Sequence, residues 1–100
     1  MISANISVSV RKSIYRRDNY RCALCDSNRG LQIHHVIHRS QGGALCHPHN
    51  LITLCWRCHA LAHGTDLREL PWYMTPAEVN QACVEYVADH YAPVWWPWER

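Results

Sequence analysis

The sequence predicts a small α+β domain in which a short antiparallel hairpin and a helix sit on a metal framework, with helices flanking them. Three observations carry this. Cys22-Ala-Leu-Cys25 and Cys55-Trp-Arg-Cys58 are two C-x2-C pairs with 29 residues between them. Two short strand-like runs, Leu31–Val36 and Leu51–Leu54, lie inside that interval and are separated by a Gly- and Pro-containing loop. Thr75-Pro76-Ala77-Glu78 then opens a helix with an apolar stripe. The 100 residues make one domain, residues 1–100, too short to bury a large core, so a stapling metal is in keeping with the size.

The balance of 48% hydrophobic and 18% charged residues is globular and excludes collagen, coiled coil and low-complexity disorder. No run approaches the ~18 apolar residues of a membrane span. The first ten residues lack the basic start and apolar run of a secretory signal. The expected compartment is therefore the reducing cytoplasm, where paired cysteines hold metal more often than they form disulfides.

Taken in order, residues 9–19 read as a short basic helix, with Ser9 as N-cap and Val10, Ile14 and Arg17 on one face. Residues 20–30 form a turn around the first Cys pair and end at Gly30. Leu31–Val36 alternates as a strand. Ser40 to Pro48 is a loop, and Leu51–Leu54 is the partner strand. A helix runs from Cys55 to about His63 and stops near Gly64. In the C-terminal helix, which extends to about residue 91, Thr75 is the N-cap, Pro76 the first helical residue and Glu78 closes a capping box. Val79, Cys83, Tyr86, Val87 and Tyr91 recur at helical spacing. Cys83, inside that stripe, reads as a small buried hydrophobe and not as a ligand. Trp95, Trp96 and Trp98 then crowd one short tail, expected either to fold back on the core or to meet a protein partner or a second copy of the chain.

Charge divides along the chain. Residues 1–60 carry eight Lys/Arg against two acids, net +6, whereas residues 61–100 carry two against six, net −4. A basic N-terminal part suggests a polyanionic partner, with the phosphate contacts expected from Arg16, Arg17, Arg21 and Arg39.

The paired spacing makes Cys22, Cys25, Cys55 and Cys58 the expected ligands of one structural zinc ion. Cys46, His47 and His49 lie between the pairs and remain an alternative ligand set. A second group of donors overlaps the framework. His59 and His63 are four apart, and on a helix they stack on one face, an arrangement suited to a divalent metal. His34 and His35 are adjacent, so a regular strand would turn them to opposite faces, and both serve one site only if the strand ends or distorts there. One would be a ligand and the other a base, both tasks that imidazole performs near neutral pH.

The combination C-x2-C, His34-His35-Val-Ile, Ser40-Gln-Gly42-Gly43, Asn50-Leu-Ile-Thr-Leu-Cys55 and Cys58-His59 resembles the HNH endonuclease family of ββα-metal nucleases over about residues 16–63. The resemblance implies a ββα-metal core, with residues 72–100 left as a packing helix and a Trp-rich tail. It implies His34 and His59 as ligands of a catalytic divalent metal (Mg, Mn, Ni or Zn), His63 as a third, and His35 as the general base. It implies that Asn50 braces the loop and helps orient the base. The implied substrate is DNA, cut to leave 5′-phosphate and 3′-hydroxyl ends. Two departures stand out. His38 occupies a position often held by proline, and Cys46-His47-Pro48-His49 fills a segment that is usually acidic or polar.

Overall fold

The computed structural model describes residues 6–64 and 74–98. The helix α1 (Val8–Arg17) begins two residues earlier than Ser9 would set it, because the Ser7 side chain accepts from Val10 N and is the cap. It ends where Asn19 and Tyr20 turn to positive φ (60° and 57°) and lead the chain into the first Cys pair. The strand β1 (Gln32–His35) pairs antiparallel with β2 (Leu51–Leu54), in the register Gln32↔Leu54, Ile33↔Thr53, His34↔Ile52 and His35↔Leu51. The helix α2 (Trp56–Ala62) follows at once, capped by the Cys55 sulfur, which accepts from Cys58 N. The helix α3 (Pro76–Tyr91) carries the capping box expected of Thr75 and Glu78. Among the described residues no helix is long and apolar enough to cross a membrane.

The strand β2 is buried along its whole length. Ile52 and Leu54 join Leu61 of α2 and Val79, Cys83 and Val87 of α3 in the main core. On the other face Leu51 packs with Ile14 of α1, Ile6 and the partly buried Ile33. Cys83 is fully buried in this apolar stripe, as its spacing indicated.

A two-stranded sheet has an outer edge with unpaired backbone groups, and here that edge lies inside the protein. Residues 17–23 satisfy it. Arg17 Nη2 donates to the Leu51 carbonyl (2.8 Å), Asp18 Oδ2 accepts from Thr53 N (2.9 Å) and Ala23 N donates to the Thr53 carbonyl (2.9 Å). Asp18 Oδ1 takes a further hydrogen bond from the Tyr86 hydroxyl of α3 (2.8 Å), and Arg17 pairs with both oxygens of the same carboxylate (2.8 and 2.9 Å). Arg17 also donates to the Pro48 carbonyl and to the Tyr91 hydroxyl (3.1 Å each). Its side chain is 8% exposed. Arg17 is thus withdrawn from the phosphate-binding set: its place on the Val10 and Ile14 face decides its fate, and its donors are committed inside the fold.

The tail folds back. Trp95 packs against the core and its Nε1 donates to the His49 carbonyl (2.7 Å). His49 Nδ1 accepts from Trp96 N (2.9 Å), and the His49 ring stacks on Tyr91 at 4.1 Å. Gly43 forms an isolated bridge with Trp98, and Pro97 is fully buried. Trp96 and Trp98 keep exposed outer faces.

Removing the Asp18 carboxylate strands a buried guanidinium and an unpaired strand edge. Asp18→Ala is expected to lower unfolding stability by about 3–5 kcal/mol, measured by urea titration; a loss below about 1 kcal/mol would contradict this role. Tyr86 adds an alkaline dependence. Burial, and then the bond to Asp18, raise its phenol to about 12 from 10. The unfolded chain therefore ionises first. The contribution is complete below about pH 10 and declines as pH rises toward 12. Tyr86→Phe should flatten that alkaline loss in urea midpoints taken at pH 9 and pH 11.

Candidate metal centres and catalytic cavity

Cys22 and Cys25 lie in the turn after α1, where Cys22 N donates to the Ser27 carbonyl (2.7 Å) and Asp26 N to the Cys22 carbonyl (2.9 Å). Cys55 and Cys58 lie at the start of α2. The four sulfurs lie within 4.8 Å of one another, with Cys25 and Cys55 at 3.5 Å. Tetrahedral zinc with Zn–S bonds near 2.3 Å places its sulfurs ~3.8 Å apart, so this donor set fits zinc. The thiols also compete for protons. The hydrogen bond with Cys58 lowers Cys22 to about 4, while the Cys58 thiol, bonded to Cys22 and buried, is pushed up. A cation relieves that competition by taking the place of the protons. The first Cys pair is tied to β2 through Ala23, and the second is the first turn of α2.

Cys46, His47 and His49 do not form a rival set. Among the described residues only two groups of donors converge, the four cysteines and His34 with His59 and His63. His49 Nδ1 is committed to Trp96 N, and His47 Nδ1 accepts from His49 N (3.1 Å).

The three-histidine group is built by β1 and α2. His59 and His63, one helical turn apart, bring their Nε2 atoms to 3.1 Å. His34 faces both, with ring centroids 5.2 Å from each. Its Nε2 is buried and has no hydrogen-bond partner, a costly state for an imidazole nitrogen. Burial, reinforced by repulsion from His59 and His63, lowers His34 to about 3. His59 is also lowered, by burial and then by His63. Neutral imidazoles converging on an unmet lone pair are the donor chemistry of a divalent metal site. Asn80 of α3 interacts with the His34 side chain, and its Nδ2 donates to the Ala62 and Pro76 carbonyls (3.1 and 2.9 Å), so the C-terminal helix reaches the edge of this site.

His35 ends β1, and this resolves the conflict between adjacent histidines. Both line one cavity of about 330 Å³, together with His38, Arg39, His59 and His63. His35 Nε2 lies 2.7 Å from the Leu45 carbonyl. A carbonyl only accepts, so Nε2 carries the proton and Nδ1 keeps the lone pair. Asn50, fully buried, holds the loop that presents Leu45. Its Oδ1 accepts from Ile37 N (2.7 Å), and its Nδ2 donates to the Ile37 and Ala44 carbonyls (3.0 and 2.9 Å). Gly43 is required in the same loop, because a Cβ there would overlap the Ile37 carbonyl oxygen and sit 2.8 Å from Asn50 Nδ2. His38, where the resembled family often has proline, precedes a short 3-10 turn (Arg39–Gln41) without a side-chain capping bond, and its ring lies 6.5 Å from His34.

Of the remaining arginines, Arg39 is exposed at the cavity. Arg16 and Arg21 are also exposed, and Arg21 lies 3.9 Å from Asp26. Arg11 lies with Tyr15 along a second cavity of about 580 Å³ that shares His35, His59 and His63. Sequence reasoning missed the Leu45 carbonyl, which has no side-chain signal, and Asn80, which lies far outside the motif.

A two-stranded hairpin and a helix that surround a histidine site, braced by four cysteines, define a ββα-metal protein. The family model described as HNH endonuclease matches residues 22–65. The protein named anaredoxin from Nostoc sp. (strain PCC 7120) is 32% identical over 59 residues, covering 58% of this chain and 76% of that protein. No solved structure matches significantly. The chain belongs to the HNH endonuclease family.

The four-cysteine site is expected to hold one zinc per chain, read by elemental analysis of the purified protein. Cys25→Ser should lower the zinc content and the melting temperature together, because structural zinc contributes on the order of 10 kcal/mol to a small domain.

Proposed function

We propose that this protein is a metal-dependent DNA endonuclease. One observation carries the proposal: a single cavity holds three converging imidazoles beside a fourth whose tautomer is fixed by a backbone carbonyl. His35 Nδ1 takes a proton from the attacking water as the general base. The Leu45 carbonyl keeps the ring from turning, and Asn50 holds Leu45 in place, so Asn50 is a positioning residue. Arg39, at the cavity edge, binds a phosphate oxygen. A divalent ion, Mg, Mn, Ni or Zn, held by His34, His59 and His63 would stabilise the negative charge that develops on the phosphate and the departing oxygen. Arg16 and Arg21, with Arg11, supply sequence-independent contacts to the DNA backbone.

The alternative is a zinc-stabilised nucleic-acid-binding or protein-interaction module with a degenerate nuclease site, or one that docks a partner or second copy through its exposed tryptophans. The complete set of His34, His35, Asn50 and His59 favours the enzyme.

The test is plasmid cleavage by the zinc-loaded protein with added Mg²⁺, Mn²⁺, Ni²⁺ or Zn²⁺. His35→Ala is expected to reduce the rate by about 10²–10⁴-fold with zinc content unchanged. His34→Ala and His59→Ala should instead weaken the second, more loosely held ion, read by titration calorimetry with Mn²⁺ or Ni²⁺. Failure of the wild-type chain to cut with all four metals, or near-normal cutting by His35→Ala, would falsify the enzymatic reading.

A further inference from the structure

Beside the catalytic cavity lies a third, of about 400 Å³, to which the proposed reaction assigns no role. Arg39, Leu45, His47, Pro48 and Trp98 are among the residues that line it. Two residues relate it to the histidine cavity. Arg39 borders both, and Leu45, whose carbonyl fixes His35, forms part of its wall. Trp98 is 40% exposed, yet its backbone is held by the bridge to Gly43. The preceding residue, Pro97, is fully buried and accepts from Ala44 N (2.8 Å). The indole lies over Gly42, where a Cβ would stand 3.8 Å from the ring. An anchored backbone that presents a wet aromatic face beside a guanidinium is unusual for a residue whose only task is packing, because the ring is left half in water.

We propose that this cavity is a base-stacking subsite that takes one unpaired nucleobase of the DNA strand whose neighbouring phosphate lies in the catalytic cavity. The inference rests on the nuclease reading and names its substrate class: single-stranded or locally unpaired DNA. Arg39 binds the phosphate between the two cavities, and the Trp98 indole stacks on the base beyond it. Charge and shape both select this occupant. A phosphate matches Arg39, and a planar π-face matches the indole, whereas in an intact duplex each base face is already covered by its neighbours. Any base can stack, so the subsite selects strand state and not sequence.

The test measures binding of a labelled single-stranded oligonucleotide and of its duplex by fluorescence anisotropy, in the His35→Ala background so that neither is cut. Trp98→Ala is expected to weaken the single strand by about 5- to 150-fold and to leave the duplex within about twofold. Trp98→Phe should restore most of the loss. Equal losses on both DNAs, or none on the single strand, overturn the subsite. So does a change of oligomeric state in Trp98→Ala seen by sedimentation, which assigns the ring to a protein contact. Should Trp98→Ala fail to fold, photocrosslinking of a single-stranded DNA oligonucleotide carrying 5-iodo-2′-deoxyuridine to the chain with native Trp98 decides the matter: adducts on Trp98 support the subsite, and adducts confined to other residues overturn it. Cleavage by the chain with both His35 and Trp98 intact separates the two readings. If it cuts and Trp98→Ala binds normally, only the subsite falls. If it does not cut and the selective loss persists, the stacking site stands without the nuclease.

Discussion

The buried outer edge of β2 sets the terms for the rest of the structure. A hairpin of two four-residue strands has almost no sheet to lose itself in, and its second strand, β2, is buried on both faces. Every backbone group on that edge needs a partner that is not a strand. Three consecutive requirements are met from one short stretch: a guanidinium on Leu51, a carboxylate on Thr53 N and an amide on Thr53 O. That stretch is also where α1 ends and the first cysteine pair begins. Satisfying the edge therefore fixes the helix against the sheet and brings two thiols toward α2 in the same act. Tyr86 and Tyr91 extend the arrangement to α3, so one buried ion pair joins the end of α1 to β2 and α3.

The cysteine cluster takes up where that edge stops. Ala23 is hydrogen-bonded to β2 and lies between the two thiols of the first pair. Cys55 follows the strand directly and caps the helix. The direction in which α2 leaves the sheet is thus fixed at its first residue. The direction decides the site, because His59 and His63 meet His34 only if the helix passes over that face of β1. The histidine cavity is in this sense a by-product of how the four-cysteine framework closes.

The sequence announced what depends on side-chain identity at fixed spacing. The two C-x2-C pairs, the i, i+4 histidines and the Thr75 capping box each state their geometry locally, and each is found where that geometry puts it. It was silent on what depends on backbone atoms. The Leu45 carbonyl that orients His35 could be any residue's carbonyl, and Gly43 shows only that something must pass close by, not what. Arg17 is the instructive error. Its helical position beside Val10 and Ile14 pointed inward, while its charge pointed to phosphate. The two cues conflict, and only the location of an acceptor-rich strand edge resolves them. The tail posed the same kind of question, since whether three indoles are buried depends on what stands across from them. His49, Gly43 and Ala44 stand there, and none of them marks itself as a partner in sequence.

One peptide bond joins Cys58 to His59, and so two donor sets of unequal softness meet on a single helical turn. Four thiolates prefer soft or borderline ions, and three imidazoles accept a wider range of first-row metals. A chain that filled both donor sets would sort a mixed supply of ions by ligand chemistry alone. Cadmium or cuprous ion arriving in excess would compete first for the sulfurs. By altering the radius of that site it would tilt α2 and move the imidazoles with it. Poisoning by a soft metal would thus be felt at nitrogen ligands that the intruding ion never touches.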